Sequence, residues 1–91
     1  MIKTIIIDDE QHCTDAILKL AYNYPDVFDI VGTFNTVEAG LEGTQKLQPE
    51  LVFLDVKIHN YTGFDYLKQI ENINFNVVFT TAFETYAVEA F

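Results

Sequence analysis

Two apolar runs that stop at carboxylates constrain this chain more than any other feature. Ile5-Ile6-Ile7 gives way to Asp8-Asp9, and Leu51-Val52-Phe53-Leu54 gives way to Asp55. Short runs rich in β-branched and aromatic residues read as strands buried on both faces, the pattern of a parallel sheet. An unpaired charge within such a strand is expensive. Asp55 is therefore expected at the strand's end, facing solvent or a cation. Asp8 and Asp9 close the first run in the same way.

The rest of the chain supplies elements between these strands. Residues 2–7 form the first strand, closed by Asp8-Asp9-Glu10. Cys13, Ala16, Ile17, Leu20, Ala21 and Tyr24 recur at helical spacing and predict a helix over 10–22, broken by Pro25-Asp26. Residues 27–34 read as a second strand, more polar and so expected at an edge. Asn35 and Glu38 have capping-box spacing ahead of a second helix that ends before Pro49. Gly40 and Gly43 lower that helix's propensity by about 1 kcal/mol each. After the third strand, over 51–55, Thr62 and Asp65 repeat the capping-box spacing, and Phe64, Leu67 and Ile70 give a third helix its apolar stripe. Residues 77–81 read as a fourth strand and 84–91 as the start of a fourth helix.

Strands alternating with helices define an α/β class: a doubly wound parallel sheet covered on both faces and joined by right-handed crossovers. In such sheets ligands bind outside the carboxyl ends of the strands, where the strand order reverses. With the first and third strands flanking that point, Asp8, Asp9 and Asp55 meet in one crevice, and Thr80 and Thr81 lie beside them.

Three carboxylates at one spot cannot all stay ionised without a counter-charge. A hard cation such as Mg²⁺ answers this, since it takes oxygen ligands from one or two carboxylates, water and phosphate. One carboxylate is then left to attack phosphorus and form an aspartyl phosphate, with a hydroxyl such as Thr81 donating to a transferring oxygen. The plainer alternative is that strand-end acids only cap the helices that follow, and Asp55 weakens it by adding a third acid.

The charge balance agrees. Fourteen Asp and Glu stand against five lysines and no arginine, a formal charge of −9, which argues against direct nucleic-acid binding by this segment. The apolar runs are too short to span a membrane, and the N-terminus lacks a secretory signal's apolar stretch, so the expected location is cytoplasmic. The single Cys13 has no internal disulfide partner and is expected to pack as a small buried hydrophobe.

Three segments together, Ile5-Ile6-Ile7-Asp8-Asp9-Glu10, Leu51-Val52-Phe53-Leu54-Asp55-Val56 with Gly63 eight residues after Asp55, and Val77-Val78-Phe79-Thr80-Thr81-Ala82, resemble the bacterial response-regulator receiver domain. The resemblance covers residues 1–91 and implies a flavodoxin-like fold with strand order 2-1-3-4. It implies that Asp55 is the phospho-acceptor for a sensor histidine kinase, that Asp9 ligates Mg²⁺ directly, that Asp8 assists through water, and that Lys57 lends its backbone carbonyl. Thr81 would bind the phosphoryl group, with Ala82 leaving room for it. The segment from Phe83 to Phe91 resembles receivers followed by a LytTR-type DNA-binding domain, which implies a role in transcription. The unit would be a regulatory phospho-acceptor, not an enzyme.

The chain departs from the family in two ways. His59 stands where the family has proline, which predicts a more mobile loop over 58–62, with His59 itself solvated. The family also continues into a fifth strand, after which comes a phosphoryl-pairing lysine; neither Lys57 nor Lys68 matches it, so a receiver incomplete at its C-terminus is expected. Two other functions compete: a dimerisation module that keeps the fold without phosphorylation, and a Mg²⁺-dependent phosphohydrolase, for which no substrate cap is evident. An uncovered outer edge on the fourth strand predicts self-association as a dimer.

Overall fold

The computed structural model describes residues 1–80. In chain order the elements are β1 (Ile2–Ile7), α1 (Gln11–Tyr22), β2 (Phe28–Phe34), α2 (Val37–Leu47), β3 (Leu51–Asp55), β4 (Lys57–Ile58), β5 (Tyr61–Thr62), α3 (Gly63–Lys68) and β6 (Asn76–Thr80). The four long strands make one parallel sheet in the order β2-β1-β3-β6. This is the expected flavodoxin-like order, with the polar strand β2 at an edge. Thr81, Ala82 and the expected helix over 84–91 lie outside the described residues.

The topology follows from handedness. The chain steps from β1 to β2 in one direction across the sheet, then from β2 past β1 to β3 and on to β6 in the other. Right-handed crossovers put α1 on one face and α2 with α3 on the opposite face. Side chains alternate along each strand, so Ile5, Ile7, Val52, Leu54, Val77 and Phe79 line the face toward α2 and α3. There they meet Val37, Ile58, Tyr66 and Phe75, all buried. Toward α1, the buried residues Thr14, Ile17 and Ala21 cover the other face. Leu20 and Tyr24, counted in that helix's stripe from spacing, are exposed.

The two glycines of α2 explain themselves by contact. A Cβ on Gly40 would stand 2.7 Å from Ile7 Cδ1, and one on Gly43 2.2 Å from Phe34 Cζ. The helix gives up intrinsic propensity at both positions so that it can seat directly on β1 and β2.

Three local expectations shift. Thr36, not Asn35, caps α2: its Oγ1 accepts from the Ala39 N–H at 3.0 Å. Asn35 instead spends its carbonyl elsewhere, as described below. In α3 the capping box is present as expected, with Asp65 N–H donating to Thr62 Oγ1 at 3.2 Å and Thr62 N–H to Asp65 Oδ2 at 2.8 Å. Its buried side chain, however, is Tyr66, and Phe64 is 52% exposed. The helix has only six residues, so its orientation is set by Tyr66, whose hydroxyl pairs with Thr44 Oγ1 at 2.6 Å inside the core. Thr44 Oγ1 also donates to the Gly40 carbonyl at 2.7 Å, which leaves Tyr66 as the donor to Thr44. Finally, the stretch expected as a mobile loop holds a short antiparallel pair, Lys57 opposite Thr62 and Ile58 opposite Tyr61.

Candidate functional site

The sheet register brings the acids together. Ile7 of β1 is level with Leu54 of β3, so the next residues, Asp8 and Asp55, leave the sheet side by side. Asp55 is in turn level with Thr80 of β6. Carboxylate oxygens of Asp8, Asp9 and Asp55 lie within 4.8 Å of one another at the carboxyl ends of the strands, as expected from the sequence. Asp8 is 3% exposed and Asp55 7%. Asp9 sits at the rim, its side chain 21% exposed.

Each carboxylate is held by a backbone N–H. Glu10 donates to Asp8 Oδ1 at 2.9 Å, and Lys57 donates to Asp55 Oδ1 over a long 3.4 Å. Asp9 Oδ2 accepts from the His59 N–H at 3.0 Å. Among the described residues no lysine forms an ion pair with any of the three acids.

The electrostatic consequence is strain on the charged forms. Burial, followed by the neighbouring Asp8 charge, pushes the Asp55 carboxyl up from 3.8 to about 7. Asp8 is also raised, mainly by burial, while the Glu10 N–H and a hydrogen bond with Asp55 oppose the rise. A hydrogen bond between two carboxyl groups needs one shared proton. A divalent cation can take that proton's place. The donor set, three carboxylates with no fixed cation, therefore fits a hard, oxygen-seeking ion such as Mg²⁺.

Thr80 lies opposite Asp55, and its buried Oγ1 has no hydrogen-bond partner among the described residues. Gly63 packs beneath the end of β3: a Cβ there would stand 2.6 Å from the Asp55 carbonyl oxygen, and its N–H donates to Val56 O at 2.9 Å. Close passage of α3 under Asp55 thus requires glycine at 63.

His59 is the residue that sequence reasoning missed. It was expected to be solvated, and its side chain is indeed 57% exposed, yet it ties three segments together. Besides its N–H to Asp9, its ring Nε2 is 3.1 Å from the Asn35 carbonyl oxygen. The available signal was the dipeptide His59-Asn60 between two short extended pairs. His59 takes the first central position of that two-residue turn with φ 55°, a left-handed conformation in which His is several-fold enriched.

A second group, Glu10, His12 and Cys13, also has potential ligand atoms within 4.8 Å of one another. Glu10 and His12 pair at 3.1 Å but are exposed. Cys13 is half-buried, not the fully buried hydrophobe expected. Partial burial, then the charges of Asp8 and Glu10, push its thiol up, which disfavours the thiolate that a thiophilic metal needs.

Residues 4–91 match the family model described as the response regulator receiver domain. The sensory transduction protein LytT of Bacillus anthracis is 35% identical over 94 residues, which take in all of this chain and 37% of that protein. The transcriptional regulatory protein BtsR of Escherichia coli K12 is 30% identical over 92 residues, again all of this chain and 38% of that protein. The chain thus spans well under half the length of these relatives. Among solved structures, the response regulator PhyR from Brucella abortus superposes with a TM-score of 0.80 at 25% identity, over 90% of this chain and 34% of that one. Register, acid cluster and family match agree: this chain belongs to the response regulator receiver domain family.

Proposed function

We propose that the chain is a phosphorylation-dependent switch in which Asp55 accepts a phosphoryl group from a sensor histidine kinase. The observation that carries this reading is the position of Asp55: buried, charge-strained, and beside two further carboxylates with no fixed cation. A carboxylate oxygen of Asp55 attacks phosphorus as the bond to the donor's imidazole nitrogen breaks, and the imidazole leaves with the bonding electron pair. Asp9 and Asp55 would hold Mg²⁺ directly, Asp8 through water, and Lys57 through its backbone carbonyl. When bound, the ion offsets charge on the transferring oxygens. Thr81 would donate to the transferred group. Residues 1–91 act as one receiver unit within a longer protein, in which further sequence supplies the phosphoryl-pairing lysine.

The output proposed is transcriptional, through a LytTR-type domain in that longer protein; two relatives carry the names LytT and BtsR. Among the described residues no helix is long and apolar enough to cross a membrane, which is compatible with a cytoplasmic partner kinase. For residues 1–91 taken alone, self-association is part of the reading, because among the described residues nothing pairs with the outer edge of β6. Sedimentation should show a dimer at micromolar concentration, and a stable monomer would remove that element.

Incubation with acetyl phosphate and Mg²⁺, followed by intact mass measurement, tests the central claim. One added phosphoryl group is expected on a chain extending beyond Phe91, and none on Asp55→Asn or in EDTA. Equal labelling of Asp55→Asn sinks the assignment. Steady turnover of a phosphate ester would favour a phosphohydrolase instead. Failure to bind Mg²⁺ or to react with acetyl phosphate would favour the dimerisation module.

A further inference from the structure

Asp8 and Asp55 are each held by an amide two residues further along the chain, so local backbone settles their orientation. Asp9 is different. Among the described residues, its carboxylate accepts one hydrogen bond, and the donor is 50 residues away at His59. The direction in which Asp9 points therefore depends on where the β4–β5 hairpin sits. That hairpin is tethered in turn by the His59 ring, 3.1 Å from the carbonyl oxygen of Asn35 in the β2–α2 connection. A carbonyl can only accept, so Nε2 carries the proton and donates. We propose that His59 is a positioning residue: by gripping the β2–α2 connection with its ring and Asp9 with its amide, it sets the metal affinity of the acid crevice.

The chemistry is that of an outer-shell support. The His59 N–H occupies Asp9 Oδ2 and leaves Oδ1 for a cation, so the carboxylate is oriented before the ion arrives. A ligand oriented in advance loses less freedom on binding. The same hairpin follows Asp55 directly, so one clamp keeps the rim acid and the acceptor strand in register across the crevice. This inference rests on the metal reading above for its effect on affinity, but the clamp itself is testable without metal.

The experiment uses His59→Gly, which keeps the amide and tolerates the left-handed turn while deleting the ring, and His59→Gln, whose side-chain amide can again donate to the Asn35 carbonyl. Mg²⁺ titration followed by NMR should show the Kd weakened by about tenfold or more in His59→Gly, the usual range for losing a ligand's outer-shell partner, and largely restored in His59→Gln. In metal-free wild type, the residue 59 amide should exchange slowly and carry the downfield shift of a carboxylate-bound N–H, and Asp9→Ala should abolish both. An unchanged Kd in His59→Gly, or a residue 59 amide indifferent to Asp9→Ala, overturns the proposal. If the wild type binds no Mg²⁺, the metal reading and the affinity claim fall together. A lost amide signature with intact Mg²⁺ binding in His59→Gly refutes the positioning role alone.

Discussion

Replacing Asp55 by Asn should stabilise the metal-free protein at neutral and alkaline pH. Asn keeps the side chain's size, removes its charge, and can donate to Asp8 in place of the shared proton. The Asp55 carboxyl is raised from 3.8 to about 7, so the native state holds its proton more tightly than the unfolded chain. Stability from this group is therefore fully present below pH 3.8 and is lost as pH rises through about 7. At about 1.4 kcal/mol per pH unit, the full separation corresponds to about 4 kcal/mol. The carboxyl titrates together with the neighbouring Asp8, so the separation does not belong to Asp55 alone and the expected gain is smaller, about 1–2 kcal/mol. In a domain of this size that is a rise in Tm on the order of 5–15 °C. Urea and thermal unfolding of wild type and Asp55→Asn, in EDTA at pH 5 to 8, provide the assay. The gap between the two proteins should widen as pH rises from 5 toward 7 and level off above that, and saturating Mg²⁺ should narrow it by restoring wild type. A stability difference that does not change with pH, or a variant weaker than wild type at pH 8, would refute the idea that charge strain at Asp55 sets the slope.

Other consequences can be checked separately. Mg²⁺ at about a hundredfold excess over its Kd should stabilise the folded protein by about 2.7 kcal/mol, and Asp9→Ala should abolish most of that gain in a thermal-shift titration. Tyr66→Phe removes the donor to Thr44 Oγ1 inside the core, and should cost about 0.5–1.5 kcal/mol in urea unfolding without altering the acid site. Gly43→Ala should destabilise by about 1–3 kcal/mol despite the better helix former, because the new methyl would meet the Phe34 ring at 2.2 Å. A stabilised Gly43→Ala would show that α2 can lift off the sheet at no cost.

Much of the site was legible because its logic is one-dimensional. An apolar run records a strand buried on both faces, and the acid that interrupts it marks where burial ends. Asp8, Asp9 and Asp55 could therefore be placed at strand ends, and the β-α alternation with its handedness rule assembled them into one crevice. The capping box at Thr62 and Asp65 was equally local, as both hydrogen bonds span three residues. One step from local signals, precision failed. Asn35 and Thr36 are both good caps, and which one serves depended on where β2 stopped and on a distant claim to the Asn35 carbonyl.

The sequence by itself determined the class of fold, the strand ends that carry acids, and a strongly acidic charge balance. Tertiary structure alone decided what those acids experience and who holds them. The raised carboxyls of Asp8 and Asp55 follow from β1 and β3 being adjacent at one register, and desolvation there depends on everything packed around the strand ends. Leu67 and Ile70 of the expected stripe do pack against the core, but the fully buried side chain of α3 is Tyr66, which reaches Thr44 22 residues away and which spacing did not single out. His59 became a clamp through a backbone amide, and every residue except proline has one. Its partner lies 50 residues back, so only the folded chain, by closing that distance, could make the bond.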